Sequence, residues 1–389
     1  MIHKHVIVGG GFGGLRAARL LCNRDDVKVT VINPQANFEY HGSLYRSANG
    51  YSPLETVVPY REIFQGSNID YVQDFMVDID PSKKLIKLLS GHEISYDSAT
   101  LALGYEPEYF DIPGMREFSK TLYSMADALE LRKTLSQVAK TNFDKVAPAR
   151  VIIAGGGPSG IETAASIAHF FELITGDSRV DVSLVEAQPG ILGALGADFA
   201  NLVKSSLGDS VHILCGQKVI RASKELLYIA DGQALPFDVL IWTAGSSANG
   251  YFRQRRDLFE VDNKGRVLVN EFLQTKYDGL YVIGDSAAVE HSGTAHAAIE
   301  MGEYVAERVI AMLLSQDCEP YKPTQPNYAV PTGHDAAVAM QDGSLISGAA
   351  GWKVRRDLDL KALSLIAPEA VAQSHWLQGE NLASIFQIR

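Results

Sequence analysis

The sequence predicts an α/β fold built from two copies of one strand, turn, helix and strand unit, followed by a small C-terminal region. Three observations predict it: a glycine-rich turn that occurs twice, a short apolar β-rich run before each copy, and a helical pattern after each. In the first copy His5-Val6-Ile7-Val8 runs into Gly9-Gly10-Gly11-Phe12-Gly13-Gly14, helical periodicity continues through Leu20 and Leu21, and Val27 to Ile32 forms the second strand. In the second copy Val151-Ile152-Ile153-Ala154 runs into Gly155-Gly156-Gly157-Pro158-Ser159-Gly160, a helix reaches about Leu173, and Val182 to Glu186 closes the unit. Gly155 lies 146 positions after Gly9. A repeat at this spacing, with each unit opening a domain, is an internal duplication.

The remaining elements follow in order. Met125 to Lys140 reads as a polar-faced helix bridging the two units. Val219 to Tyr228, Val239 to Trp242 and Arg266 to Val269 read as strand-like runs. Leu280 to Ile283 is a buried strand ending at Gly284-Asp285, and a long helix follows from about Ala295 to Leu314. Past Pro320 the texture turns loop-rich, with Pro323, Pro326 and Pro331 close together. A chain of 389 residues exceeds one ordinary core. The expected division is residues 1–115 with 270–325, residues 116–269, and a C-terminal region 326–389 that serves as a dimer interface or a peripheral membrane contact.

Composition narrows the function classes. Hydrophobic content of 46% with 21% charged residues is that of a globular enzyme. A net charge of −11 without clustered Lys and Arg excludes nucleic acid as a partner and disfavours electrostatic docking to anionic lipid. Cys22, Cys215 and Cys318 form no CxxC and no zinc-spaced cluster, so neither a disulfide framework nor a metal site is expected, and the expected compartment is the reducing cytoplasm. The first strand begins at His5, which leaves no room for an export signal. No apolar run approaches the ~18 residues of a membrane span, so membrane contact would be peripheral, at the inner face of the cytoplasmic membrane.

The glycines carry the chemistry. In a GxGxxG turn of a Rossmann-like unit the first glycine (Gly9, Gly155) permits the tight turn and the second (Gly11, Gly157) admits a pyrophosphate. The third (Gly14, Gly160) lets helix and strand pack closely. The phosphates then rest on a helix N-terminus, where free N–H groups favour negative charge. Two such turns imply two dinucleotides on one chain. The residue closing the second strand chooses between nucleotides, because a carboxylate there accepts from a ribose 2′-OH and repels a 2′-phosphate. In the second unit it is Glu186, with no arginine following, which favours NADH over NADPH. In the first it is Asn33, which forgoes the charge-assisted contact at a loss of about 1 kcal/mol.

These motifs together resemble the two-dinucleotide-binding flavoproteins and, within them, the type II NADH dehydrogenases. The first glycine turn resembles the family's FAD fingerprint, and Phe38, Leu44, Tyr45 and Gly50 its loop after the second strand. Leu101 to Gly104 and Trp242-Thr243-Ala244-Gly245 resemble its two strand-to-glycine connections. Ile112-Pro113-Gly114, Asp127-Ala128 and Leu131-Arg132 are similar to its bridging segment, and Thr275 to Asp285 to its second FAD motif. The resemblance spans about residues 5 to 315. It implies FAD held by Gly9, Gly11, Phe12, Gly13, Gly14, Asn33, Gly104, Gly284, Asp285 and Ala295, and NADH held by Gly155, Gly157, Gly160, Glu186 and Gly245. It implies hydride transfer from NADH to flavin and electron delivery to a quinone-type acceptor. Glu162 is placed near the nicotinamide, to orient it or to carry protons, against the alternative of a helix N-terminal acid stabilised by the dipole. Asp285 binds the ribityl chain, or caps the helix beyond it. His41 and His296 are candidates for a proton relay, since histidine titrates near physiological pH.

The chain departs from the family at several points. Quinone-reducing members carry glutamines after the glycine-aspartate motif, where this chain reads Thr294-Ala295-His296-Ala297-Ala298-Ile299-Glu300. Pro368 interrupts the tail, with Trp376, Phe386 and Ile388 scattered along it. The loop Glu39-Tyr40-His41-Gly42-Ser43 has no thiol, so a cysteine-mediated route is excluded and the acceptor must reach the flavin directly. That acceptor is a quinone, dioxygen or a small electron carrier. The alternatives are therefore a soluble NADH oxidase or ferredoxin/rubredoxin-type reductase, and a non-respiratory flavoprotein resembling the apoptosis-inducing factors.

Overall fold

The computed structural model describes residues 2–142, 147–176 and 179–381; Phe386 and Ile388 lie outside the described residues. Two five-stranded, all-parallel sheets organise the chain. The first runs Leu280–Val282, Ser98–Leu101, His3–Val8, Val27–Ile32 and Asp70–Val72. The second runs Lys120–Thr121, Val239–Trp242, Ala149–Ala154, Val180–Glu186 and His212–Cys215. In both, the strand that feeds the glycine turn is central, and β-branched residues dominate it because helices cover both faces of a parallel sheet. Burying side chains such as Ile7, Val29, Val151 and Ile153 contributes about 1.5–3 kcal/mol each.

The helices behind the turns are set by their ends. Phe12–Leu21 begins after Gly11, and Pro158–Thr175 has proline in its first turn and Gly176 in the left-handed conformation (φ 75°) at its C-terminus. The helix Ala295–Leu313 is capped by Thr294, whose hydroxyl accepts from the Ala297 N–H at 3.1 Å. It buries Ala297, Met301 and Val305 against the first sheet. Its Gly302 sits so close to the Gly13 carbonyl that a Cβ would collide with it, and a Cβ on Gly13 would come within 2.8 Å of the Ala298 carbonyl oxygen. Two glycines thus allow these helices to cross at backbone contact.

An antiparallel ribbon of Tyr105–Pro107 and Ser246–Ala248 joins the two units. Phe252, Phe259 and Val267 pack into the first core, so the chain returns to the first unit well before residue 270, the expected boundary. The run Val219 to Tyr228 is not one strand but a hairpin, Val219–Ala222 with Leu226–Ile229, extended by Ala234–Pro236. Arg266 to Val269 forms only isolated bridges, from Val267 to Val261 and to Ala287. A second antiparallel sheet, Met76–Asp80, Leu85–Leu88 and Glu93–Ser95, has no counterpart in the sequence reading.

The C-terminal region is more regular than its prolines predict. Tyr328–Gly333, Ala336–Gln341 and Ser344–Ile346 form a small sheet, with Pro331 at a register shift, and two helices follow, Gly348–Ile366 and Glu369–Gln378. Pro368 separates these helices rather than dissolving them. Val330 and Val338 pack into the core of the second unit, while Leu363 and Ile366 pack on Leu15 and Phe38 of the first. The region is therefore a wedge between the two units.

Candidate active site

Each glycine turn has the same three-part geometry. Gly9 (φ 110°) and Gly155 (φ 124°) adopt backbone that only glycine takes without strain, and a Cβ on Gly155 would lie 2.6 Å from the Ala244 nitrogen. Gly14 and Gly160 press on the carbonyls of Gly9 and Gly155, where any Cβ would collide. Gly11 and Gly157 differ from both: a Cβ there meets nothing within 4 Å. The protein leaves space in front of these two residues. Behind that space the helices start on Gly11 and Gly157 with no side-chain cap, so their first N–H groups remain for an anionic ligand. Room and donors together fit a pyrophosphate at each turn.

The strand-closing residues occupy equivalent places. The Glu186 carboxylate accepts from the N–H of Gly156 at 2.6 Å and, through its other oxygen, from that of Gln188 at 2.6 Å. The Asn33 side-chain oxygen accepts from the N–H of Gly10 at 3.1 Å, and its amide donates to Gln35 and to the Tyr60 hydroxyl, which in turn donates to the Gly10 carbonyl at 2.8 Å. Asn33 thus preserves the contact to the turn while giving up the charge. Phe12, first in its helix, meets Phe38 and Tyr40 edge-on at ring distances of 5.0 and 5.2 Å.

At the ends of the flanking strands Gly104 (φ 71°) and Gly284 (φ 68°) turn the chain, and the Ser286 hydroxyl donates to the Gly104 carbonyl at 2.8 Å. Asp285 accepts from the Gly293 N–H at 3.1 Å, and burial raises its carboxyl to about 6. One donor does not satisfy a carboxylate, which suits it to accept ligand hydroxyls. Gly245 packs beneath Phe110 and the Glu108 carbonyl and lines an open cleft of about 560 Å³ with Ala244, Arg253 and Lys264.

His41 keeps some exposure to solvent although protein surrounds most of its ring. Its ring meets Tyr105 edge-on at 5.5 Å and Tyr123 at 5.6 Å. Burial pushes its imidazole down to about 4, so His41 is neutral at physiological pH, contrary to the expectation of titration there. His296 stands apart from it: its Nε2 meets the Thr324 hydroxyl at 2.9 Å and Glu300 at 3.2 Å, and among the described residues no hydrogen bond, ion pair or ring contact joins it to His41. Ala295 begins the same helix.

Glu162 is buried and receives Arg355 Nη1 at 2.5 Å, from the helix Gly348–Ile366. Arg355 Nε also meets both oxygens of Asp359 at 3.0 Å, and the Tyr40 hydroxyl donates to Asp359 at 2.5 Å. Burial pushes the Glu162 carboxyl up against the pull of Arg355, and Asp359 adds to the push. Burial opposes the charge on Arg355, but Asp359 and Glu162 outweigh it and hold the guanidinium charged. Beside this cluster Arg46 and Arg356 converge on Glu55, which is 1% exposed. Arg355, Asp359 and Tyr40 escape a reading of the sequence; the spacing of Arg355 and Asp359 by one helical turn is their only local signal.

Two nucleotide-cradling Rossmann-like units with a carboxylate at the second helix define the class: the chain belongs to the pyridine nucleotide-disulphide oxidoreductase family, which matches residues 3–302. Within it the chain is a type II NADH dehydrogenase-like member without the redox cysteines. It is 31% identical, over 83% of its length and 75% of the relative's, to the type II NADH:quinone oxidoreductase Ndh of Mycobacterium tuberculosis. It is 25% identical to an external alternative NADH-ubiquinone oxidoreductase of Yarrowia lipolytica mitochondria, covering 80% of this chain and spanning 60% of that protein. NDH2 of Plasmodium falciparum, solved in complex with NADH, shares the fold at a TM-score of 0.85 over 97% of both chains, with 17% identity. No helix among the described residues is long and apolar enough to cross a membrane.

Proposed function

We propose that this chain oxidises NADH through FAD bound at the first glycine turn and passes the electrons to a quinone-type acceptor. The observation that carries the reading is the pair of open cradles at Gly11 and Gly157, each backed by an uncapped helix N-terminus, in a chain whose relatives are NADH:quinone oxidoreductases. When bound, the flavin supplies a two-electron carrier that takes hydride from NADH and gives it up to an acceptor. The protein's part is to hold and orient. Gly9, Gly11, Phe12, Gly13, Gly14 and Asn33 seat the adenine dinucleotide half of FAD, Asp285 takes its ribityl hydroxyls, and Gly104, Gly284 and Ala295 let the backbone approach. Gly155, Gly157, Gly160 and Gly245 seat NADH, and Glu186 accepts from its ribose while repelling a 2′-phosphate. His41, packed beside Tyr105 and Tyr123, is held as a neutral imidazole. Glu162 is the carboxyl available beside the transfer site to orient the nicotinamide or move a proton.

Anaerobic stopped-flow tests this directly. Rapid bleaching of the flavin by NADH, slow bleaching by NADPH and rapid reoxidation by a soluble quinone are the expected results. Rapid bleaching followed by indifference to quinone would replace the acceptor with dioxygen or a carrier protein. A purified protein that binds no flavin would overturn the reading.

A further inference from the structure

Three aromatic side chains from separate segments meet beside the first unit. His41 belongs to the thiol-free loop after the short strand Asn37–Glu39, Tyr105 directly follows Gly104 at the start of the ribbon between the units, and Tyr123 precedes the helix Met125–Asn142. The rings of Tyr105 and Tyr123 meet edge-on at 5.3 Å, and that of His41 lies 5.5 and 5.6 Å from them. The rings thus satisfy one another, but their polar tips do not. Among the described residues no hydrogen bond or ion pair reaches the imidazole nitrogens or either phenol oxygen. Nor are these tips sealed in, as the unpartnered hydroxyls of Tyr45, Tyr96 and Tyr321 are. Enclosed polar groups ordinarily find partners, so water or a ligand supplies them here.

The trio adjoins residues assigned above to the flavin. Gly104 is the neighbour of Tyr105 in the chain, and the Asp285 carboxylate is near enough for its charge to bear on both phenols. Burial, with Asp285 adding at Tyr105 and Glu106, Asp127, Asp285 and Glu39 adding at Tyr123, holds both phenols above their ordinary range, and burial pushes His41 down to about 4. At neutral pH the cluster therefore carries no charge of its own. It offers two hydroxyls and one neutral imidazole, each able to donate one hydrogen bond and accept another. The carboxylates around it disfavour an anionic ligand. An uncharged flat ring with two carbonyl oxygens fits this set, because its face packs on the aromatic side chains while its oxygens accept from their tips.

We propose that His41, Tyr105 and Tyr123 form the seat of the electron acceptor and select an uncharged quinone-type ring over an anionic acceptor. This rests on the reading of the chain as a flavin-linked NADH:quinone oxidoreductase. Reduction turns the two carbonyl oxygens into two hydroxyls: two electrons and one proton originate in the hydride of NADH, and the second proton comes from solvent, to which His41 keeps some exposure. The three tips accept from hydroxyls as well as they donate to carbonyls, so they hold the acceptor both before and after its reduction.

Substitutions that delete only the tips test this. Tyr105→Phe and Tyr123→Phe keep the rings and remove hydroxyls that bond nothing in the protein, so the variants should fold and retain flavin. In anaerobic stopped-flow the NADH-reduced holoenzyme is mixed with duroquinone, a neutral soluble quinone. Half-saturation of flavin reoxidation should need about 2- to 12-fold more quinone in each variant, and more again in the double variant. Ferricyanide, an anion that takes single electrons and needs no such seat, should reoxidise wild type and variants alike. Unchanged quinone saturation in both variants overturns the proposal. So does an equal slowing with ferricyanide, which would place the fault in the flavin, and so does loss of flavin from both variants, which would make the trio a wall of the flavin's own pocket. A wild type whose reduced flavin ignores duroquinone overturns instead the reading on which the proposal rests.

Discussion

Substituting the middle glycine of each turn separates cofactor binding from folding. At Gly157 the backbone is extended (φ −78°, ψ 178°), which alanine adopts freely, and its Cβ would touch nothing in the protein. Gly157→Ala should therefore fold with unchanged stability, or gain about 0.4–1 kcal/mol from a less flexible unfolded chain. The added methyl occupies the space through which a pyrophosphate reaches the helix N-terminus. Losing one N–H contact to a charged phosphate costs about 1.5–3 kcal/mol, which is roughly 10- to 150-fold in Kd. Stopped-flow titration of flavin reduction against NADH concentration would show this as a raised half-saturation concentration with a normal visible spectrum. Gly11→Ala, where the backbone is equally extended (φ −79°, ψ −174°), should instead yield folded protein depleted of flavin. Gly160→Ala is the control, because its Cβ collides with the Gly155 carbonyl and stability itself should fall. Unaltered NADH saturation in Gly157→Ala would refute the assignment of that turn as the pyrophosphate seat.

Three further outcomes are expected. Glu186→Gln keeps an acceptor for the Gly156 N–H but removes the charge, so preference for NADH over NADPH should drop at least tenfold, about 1.4 kcal/mol or more, in reduction rates at low nucleotide concentration. Glu55→Ala leaves Arg46 and Arg356 facing each other without their buried partner and should cost about 3–5 kcal/mol in urea unfolding; a loss below 1 kcal/mol would mean water already reaches the pair. His5 donates or accepts at both nitrogens, to Ser98 and Thr100, and burial pushes it down to about 3. As pH falls the unfolded chain binds this proton first, so stability is complete above the ordinary histidine value near 6.5 and is lost progressively towards pH 3, a slope that His5→Gln should reduce.

The parallel strands and both glycine turns were legible in the sequence because local chemistry dictates them: β-branched runs need two covered faces, and the turns need residues without a Cβ. Asn33 and Glu186 were legible from their place at the end of a strand. The hairpin at Val219–Ala222 and Leu226–Ile229 was read as one run because Ser223-Lys224-Glu225 lacks the glycine or proline that marks most turns. The three prolines near residue 326 suggested loops, yet Pro331 is tolerated within a strand at a register shift. His41 was read as a candidate proton relay, but its neutrality depends on burial that no local pattern encodes. Arg355 and Asp359 were missed for a plainer reason: beyond their own spacing of one helical turn, their partners Glu162 and Tyr40 lie in distant segments, and charged residues on a helix usually face water.

The Glu162 and Arg355 pair spans 193 residues of chain, and that of Glu55 with Arg356 spans 301. Synthesis at ~5–20 residues per second would leave Glu162 without its partner for about 10–40 s after it leaves the ribosome, and Glu55 for longer. During that interval both acids belong to half-built units and must stay hydrated, since burying them alone is prohibitively unfavourable. The second nucleotide cradle can form early from its own segment, and the first once Leu280–Val282 and Ala295–Leu313 have joined it. Closure of the surface between them has to wait for the last tenth of the chain, so a nascent protein should be able to take up its dinucleotides before it can complete the site that connects them.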